Sequence, residues 1–221
     1  MSLNIASMST LQIADLTPQA MATLTTANIQ ALSTQQVGAL SSTQLAALPI
    51  SDVVTISTAA IAMLNGAQLP GLTPADMAAL TTEQLQALTA SQTPSLSYKQ
   101  VAALVARQMA GLSTAGLAAM GTDQIARLSP GDVAALSTTQ LAAMSSDLSS
   151  LTTAQVAALT TAQLQSLSSD QISSFTSAQV AALRVGQMAG LSTAGLAAMG
   201  ADQITSLATK NIAALSTAQL A

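Results

Sequence analysis

Leu151–Leu167 reads LTTAQVAALTTAQLQSL, two passes through one eight-residue unit. Its consensus is Leu, Ser or Thr, Thr, Ala or Asp, Gln, Ile/Val/Leu, Ala, Ala, numbered here as positions 1 to 8 of an octad. Read outward from this stretch, position 1 recurs as Met8, Leu16, Leu24, Leu32, Leu40, Leu48, Ile56 and Leu64, and onward to Leu136 and Met144. Position 6 recurs as Ile13, Met21, Ile29, Val37, Leu45, Val53, Ile61 and Leu69, and onward, failing to be apolar only at Thr93. One residue is missing between Met144 and Leu151, after which Leu159, Leu167, Phe175, Leu183, Leu191, Met199, Leu207 and Leu215 restore the period. Such self-similarity is the mark of a repeat architecture. Residues 1–221 are expected to form a single octad-repeat array with a register slip near 144–151.

The period excludes two simple folds. Eight residues at about 100° each rotate the apolar pair by about 80° per octad on one continuous helix, so no seam survives. On a strand, positions 1 and 6 have opposite parity and would face opposite sides. A helix that restarts in every octad satisfies the pattern instead. Ser or Thr at position 2 is a preferred N-cap, and Gln three residues later completes a capping box. The apolar residues at positions 1 and 6 are the two halves of a hydrophobic staple. Pro18, Pro74 and Pro130 directly follow the cap, where a missing N–H costs nothing. Asp52, Asp76, Glu83, Asp123, Asp132, Asp147, Asp170 and Asp202 fall in the first turn, which the helix dipole favours for an anion, and only Asp15 falls elsewhere.

One octad buries two large side chains, worth about 1.5–3 kcal/mol each. Ordering its backbone costs roughly 1–2 kcal/mol per residue, so a lone octad cannot fold. Stability must come from stacking. The expected fold is therefore all-α: a solenoid or superhelix of short capped helices, one per eight-residue repeat. Its interior is expected to be Leu, Ile, Val and Met and its exterior Ser, Thr and Gln, with Ala at positions 7 and 8 permitting close approach.

A longer duplication overlies the octads. Residues 101–142 match 180–221 at 30 of 42 positions. Gly111, Gly116 and Gly121 recur as Gly190, Gly195 and Gly200, either marking close backbone approach or standing as tolerated replacements of Ala and Ser.

Composition narrows the function. The chain holds no Cys and no His, only 6% charged residues against about 25% in an average domain, and a net charge of -4. Most nucleophile–base pairs and ordinary zinc sites are thereby excluded, and no cofactor is expected. An acidic chain lacks the basic footprint for nucleic acid. No run approaches the 18 apolar residues of a membrane span, and MSLNIASMSTLQIADL lacks the basic and apolar regions of a Sec-type signal peptide. Asp123 and Asp202 occupy equivalent places in the duplicated block, but dipole compensation accounts for each. Lys99, Arg107, Arg127, Arg184 and Lys210 are scattered.

The tandem units of Leu151–Leu167 resemble the octad arrays of very large bacterial secreted or cell-surface proteins, often labelled haem-utilisation or adhesion proteins. The resemblance implies a bacterial protein at the cell surface or outside it. A haem function does not transfer, because no His or Cys is present to ligate iron. The openings LTPQAMATL and LTPADMAAL are also similar to those of transcription-activator-like effector repeats, but the period here is eight and base-reading positions are missing.

A structural, self-assembling role is expected rather than an enzymatic one: a rod or filament formed by head-to-tail stacking of copies of itself. The period enters at Ile5 and Met8 and leaves through LSTAQLA, so Ile5, Met8, Leu215 and Leu220 are the expected assembly residues. Unlike, mutually matching ends are the condition for open heterologous assembly. The alternative is an adhesin stalk or ligand-binding module that stays monomeric, its polar exterior meeting glycans or another protein.

Overall fold

A computed structural model describes residues 4–144 and 147–220. Two residues of the expected register slip, Ser145 and Ser146, lie outside the described residues. Every regular element among the described residues is a helix, and the α-helices run four to six residues, one to an octad. Thr34–Gly38 shows why they start. Ser33 holds an extended backbone, its Oγ accepts the Gln36 amide at 3.2 Å, and Gln36 Oε1 accepts the Ser33 amide at 2.7 Å. The same reciprocal box opens the helices at Ser41, Thr81, Ser97, Ser137, Thr152, Thr160, Ser168 and Thr176. Pro18, Pro74 and Pro130 stand at the first helical turn, as their spacing predicts. Helices stop because the position-1 residue returns to extended backbone, as at Leu64 (ψ 134°) and Leu136 (ψ 140°), and presents the next cap.

The chain forms two compact units, Met1–Ala119 and Met120–Ala221. In each, the residues of positions 1 and 6 make the core. In the first unit Leu45, Ile61, Leu69 and Leu85 are fully buried, and in the second Val133, Leu141, Leu164 and Val180 are. Thr93, the polar exception, is also buried, and its Oγ1 donates to the Thr89 carbonyl within its own octad. Helices three octads apart lie against each other, Thr34–Gly38 on Thr58–Met63 in the first unit and Thr161–Ser166 on Val185–Gly190 in the second. This is the solenoid packing that the energetics require.

The Gln residues correct the expected polar exterior. Gln44, Gln84, Gln100, Gln155, Gln163 and Gln179 are all buried. While Oε1 of each serves its own cap, Nε2 donates across to the turn beneath. Gln44 Nε2 reaches the carbonyls of Ile13 at 2.9 Å and Leu16 at 2.7 Å. Gln100 reaches Leu69 at 2.7 Å and Leu72 at 2.6 Å. The partners lie 31 and 28 residues back, so each octad rests on the junction of the fourth and third octads behind it, and 28 residues are three and a half octads. The position-6 carbonyls also accept the amide three residues on, as Ile13 does from Leu16 at 3.2 Å, so it is chiefly the position-1 carbonyls, such as those of Leu16 and Leu72, that depend on the carboxamide.

The register slip is legible in the same bonds. Gln155 reaches Ile125 and Leu128, and Gln163 reaches Val133 and Leu136, at separations of 30 and 27. Gln179 reaches Leu148 and Leu151, again 31 and 28 back. The lost residue is absorbed locally and stacking resumes.

The duplicated glycines divide into three kinds. A Cβ on Gly111 would come within 2.7 Å of the Thr82 carbonyl oxygen, and one on Gly190 within 2.6 Å of that of Thr161. Gly116 and Gly195 are tight against the hydroxyls of their own caps, Ser113 and Ser192. Gly121 and Gly200 are caps with only their own Gln at 3.9 Å, so they are replaceable.

Candidate assembly surface

Because the buried Gln residues at position 5 reach backward, the cover they provide is directional. A position-6 residue is roofed by the octads that follow it, so the last octads of a stack lack that roof. At the start of the first unit the position-6 residues Ile5 and Ile13 are buried, whereas the position-1 residues Met8 and Leu16 are half-buried. At the end of the second unit the pattern inverts. Met199 and Leu207 are buried, while the position-6 residues Ile204, Ile212 and Leu220 are 39%, 42% and 63% exposed.

The exposed set lines an open, mainly apolar groove of about 580 Å³, whose walls include Leu196, Ile204, Leu207, Ile212, Leu215 and Leu220. Gln219 still reaches back, donating to Met188 at 2.8 Å and Leu191 at 2.7 Å.

Of the four expected assembly residues, Leu215 and Leu220 line this groove. Met8 is half-buried, and Ile5 lies inside the first unit, where its carbonyl accepts Gln36 Nε2 at 3.0 Å. Ile204 and Ile212 escaped the sequence reading. They belong to the position-6 series, and only the direction in which Gln reaches reveals that this series is the one left open.

Among the described residues no three acids are grouped so as to hold a metal ion. Asp123 and Asp202 are exposed in the first turns of their helices. Glu83 is held below the usual carboxylate range by its own backbone amide and then by the hydroxyls of Thr81 and Thr82. No helix among the described residues is long and apolar enough to cross a membrane.

The sequence pattern of the family described as ALTTAQ repeat matches residues 21–49, 126–161, 148–185 and 180–217, together more than half of the chain. No curated protein shows significant similarity to it.

Proposed function

The chain belongs to the ALTTAQ repeat family, and from that premise we propose a structural role: a self-assembling repeat protein that forms a rod or filament by head-to-tail stacking. One observation carries the reading. The last octads of the second unit leave position-6 residues open, at Ile204, Ile212 and Leu220, and the first octads of the first unit leave position-1 residues half-covered, at Met8 and Leu16, so a second copy could complete either set. A self-complementary patch would give a closed dimer, whereas unlike ends favour an open, heterologous series. Covering a large apolar side chain is worth about 1.5–3 kcal/mol, and association costs roughly 4–15 kcal/mol, so the whole end face must engage. Low charge density removes the repulsion that would oppose stacking.

A catalytic role has little support, since no imidazole or thiol is available as base or nucleophile. A bacterial surface or extracellular location rests on the resemblance of Leu151–Leu167 to the arrays of large secreted proteins.

Sedimentation velocity over a micromolar concentration series, with negative-stain microscopy, tests assembly. Growing rods are expected, and Ile212→Asp with Leu220→Asp should shorten them without unfolding the protein. A compact particle that stays monomeric at every concentration would overturn the proposal.

A further inference from the structure

Three buried octad positions that elsewhere carry Gln carry Asp instead: Asp52, Asp76 and Asp132. An Asp can accept the cap bonds, but it cannot donate to the turn beneath. Asp76 Oδ2 accepts the Thr73 amide at 2.8 Å and the Thr73 hydroxyl at 2.7 Å, which completes its box. Its other oxygen, Oδ1, is buried and has no hydrogen-bond partner among the described residues. Asp52 differs by one neighbour. The Thr26 hydroxyl, 26 residues back, donates to Asp52 Oδ1 at 2.7 Å. The residue 26 back from Asp76 is Ile50, which has nothing to donate.

The register says what Asp76 Oδ1 faces. Gln68 and Gln84, in the octads on either side, reach the pairs Val37 and Leu40, and Val53 and Ile56. The same spacing brings the carbonyls of Leu45 and Leu48 to Asp76. At this level a carboxylate oxygen and helix-ending carbonyls converge where a carboxamide NH2 sits in the neighbouring octads. Asp is one methylene shorter than Gln, so the amide nitrogen's place is left to another group. A buried carboxylate oxygen among carbonyls is costly unless a donor or an opposite charge compensates it, and among the described residues no donor reaches Asp76 Oδ1. All the converging atoms are oxygens, the ligand type of hard cations. One carboxylate is too little for calcium, which gathers six to eight oxygens and usually several carboxylates. A singly charged ion matches the formal charge.

We propose that Asp76 Oδ1 and the carbonyls of Leu45 and Leu48 bind one alkali-metal cation, which takes the place of the Gln amide nitrogen in tying one turn to the next. The site then works as a cation-dependent rung in a ladder otherwise made of carboxamides.

The test is thermal unfolding of the full chain at one protein concentration, in potassium chloride, sodium chloride or tetramethylammonium chloride. Matching ionic strength removes the general screening effect. The unfolding midpoint of the wild type should be several degrees higher in at least one alkali salt than in the tetramethylammonium salt. Asp76→Asn, which can keep its box as Asn28 does with Thr25, should lose that difference. Asp52→Asn should retain it, because Thr26 already serves Asp52. Should Asp76→Asn fail to fold, Ile50→Thr gives Asp76 the hydroxyl that Asp52 has and should abolish the difference in a folded protein. Identical wild-type midpoints in all three salts would mean that no cation fills the place, and would overturn the proposal. So would an alkali response that persists in the folded Asp76→Asn or Ile50→Thr variant.

Discussion

Gly71 and Ser95 hold the same place in their octads, position 8, and each lies over position 3 of an octad, 29 residues behind, Ser42 and Gly66 respectively. At the first crossing the upper residue is the glycine: a Cβ there would come within 2.3 Å of the Ser42 carbonyl oxygen and 2.7 Å of its Cα. At the second the lower residue is the glycine, and a Cβ on Gly66 would meet Ser95 Oγ at 2.6 Å. Both crossings lie in octads with a 3-10 turn, where Pro70 and Pro94 at position 7 remove the amide that would continue an α-turn. At each crossing the two levels come so close that one side chain must be given up. The crossings of Gly111 over Thr82 and Gly190 over Thr161 repeat the first solution. Whichever partner is glycine, the contact is equally close, but the obstacle differs: backbone in one case, a rotatable hydroxyl in the other.

That difference ranks the consequences of substitution. Gly71→Ala should be the most damaging, because the Ser42 backbone cannot turn aside and the levels must separate. Overpacking of a well-packed site typically costs about 1–3 kcal/mol, and an obstacle made of backbone places this variant at or above the upper end. Chemical denaturation should show the midpoint falling; an unchanged midpoint would mean that the levels are not pinned there. Gln100→Ala follows closely. It removes the acceptor for the Ser97 amide and the donor for the Leu69 and Leu72 carbonyls in one step. Buried groups left unsatisfied cost about 1–3 kcal/mol each before relaxation, so roughly 2–4 kcal/mol is expected. Amide hydrogen exchange should become faster in the octads on both sides of the lost rung. If protection falls only in the Tyr98–Ala102 helix, the carboxamide merely caps its own helix. Gly66→Ala should cost less, about 1 kcal/mol, since Ser95 can change rotamer. Ser95→Gly in the same chain should recover most of the loss, and a double variant no better than Gly66→Ala would sink the idea that the two residues share one space.

How far this was readable from the sequence follows from where each force acts. Ser33, Gln36 and Val37 state a cap, a box partner and a staple within five residues, so helix starts and core positions were plain. The second task of Gln44 was not, because its acceptors at Ile13 and Leu16 are 31 and 28 residues distant and no local pattern counts the octads in a turn. A hint does exist. A capping box accepts Glu as readily as Gln, yet the one Glu of the chain, Glu83, stands beside the box position and not in it. A carboxylate would satisfy the cap but offer the carbonyls beneath no donor. The preference for Gln is thus the trace of the inter-turn bond. Ile204 and Ile212 were missed for the same reason, because their exposure depends on which way that bond runs.

Gly38 provides the control for the crossings, and the smallest effect. It closes the helix Thr34–Gly38 on an exposed surface, with no atom within 4 Å of the place its Cβ would take. No residue of the described chain has positive φ, so alanine fits its backbone without strain. Gly38 is exposed with nothing opposite, where Gly71 is buried against Ser42, so Gly38→Ala should stabilise where Gly71→Ala destabilises. The gain comes from the unfolded chain, which has fewer conformations to lose, and amounts to about 0.4–1 kcal/mol. In a chain of this size each kcal/mol moves the midpoint by roughly 2–4 °C, so a rise of about 1–4 °C is expected in a thermal melt. The carbonyl of Gly38 accepts Gln68 Nε2 at 3.2 Å, and a methyl group on its Cα leaves that oxygen in place. A fall in midpoint for Gly38→Ala would show that glycine is required at this level for a reason other than the closeness of the turns, and would remove the steric account of Gly71 with it.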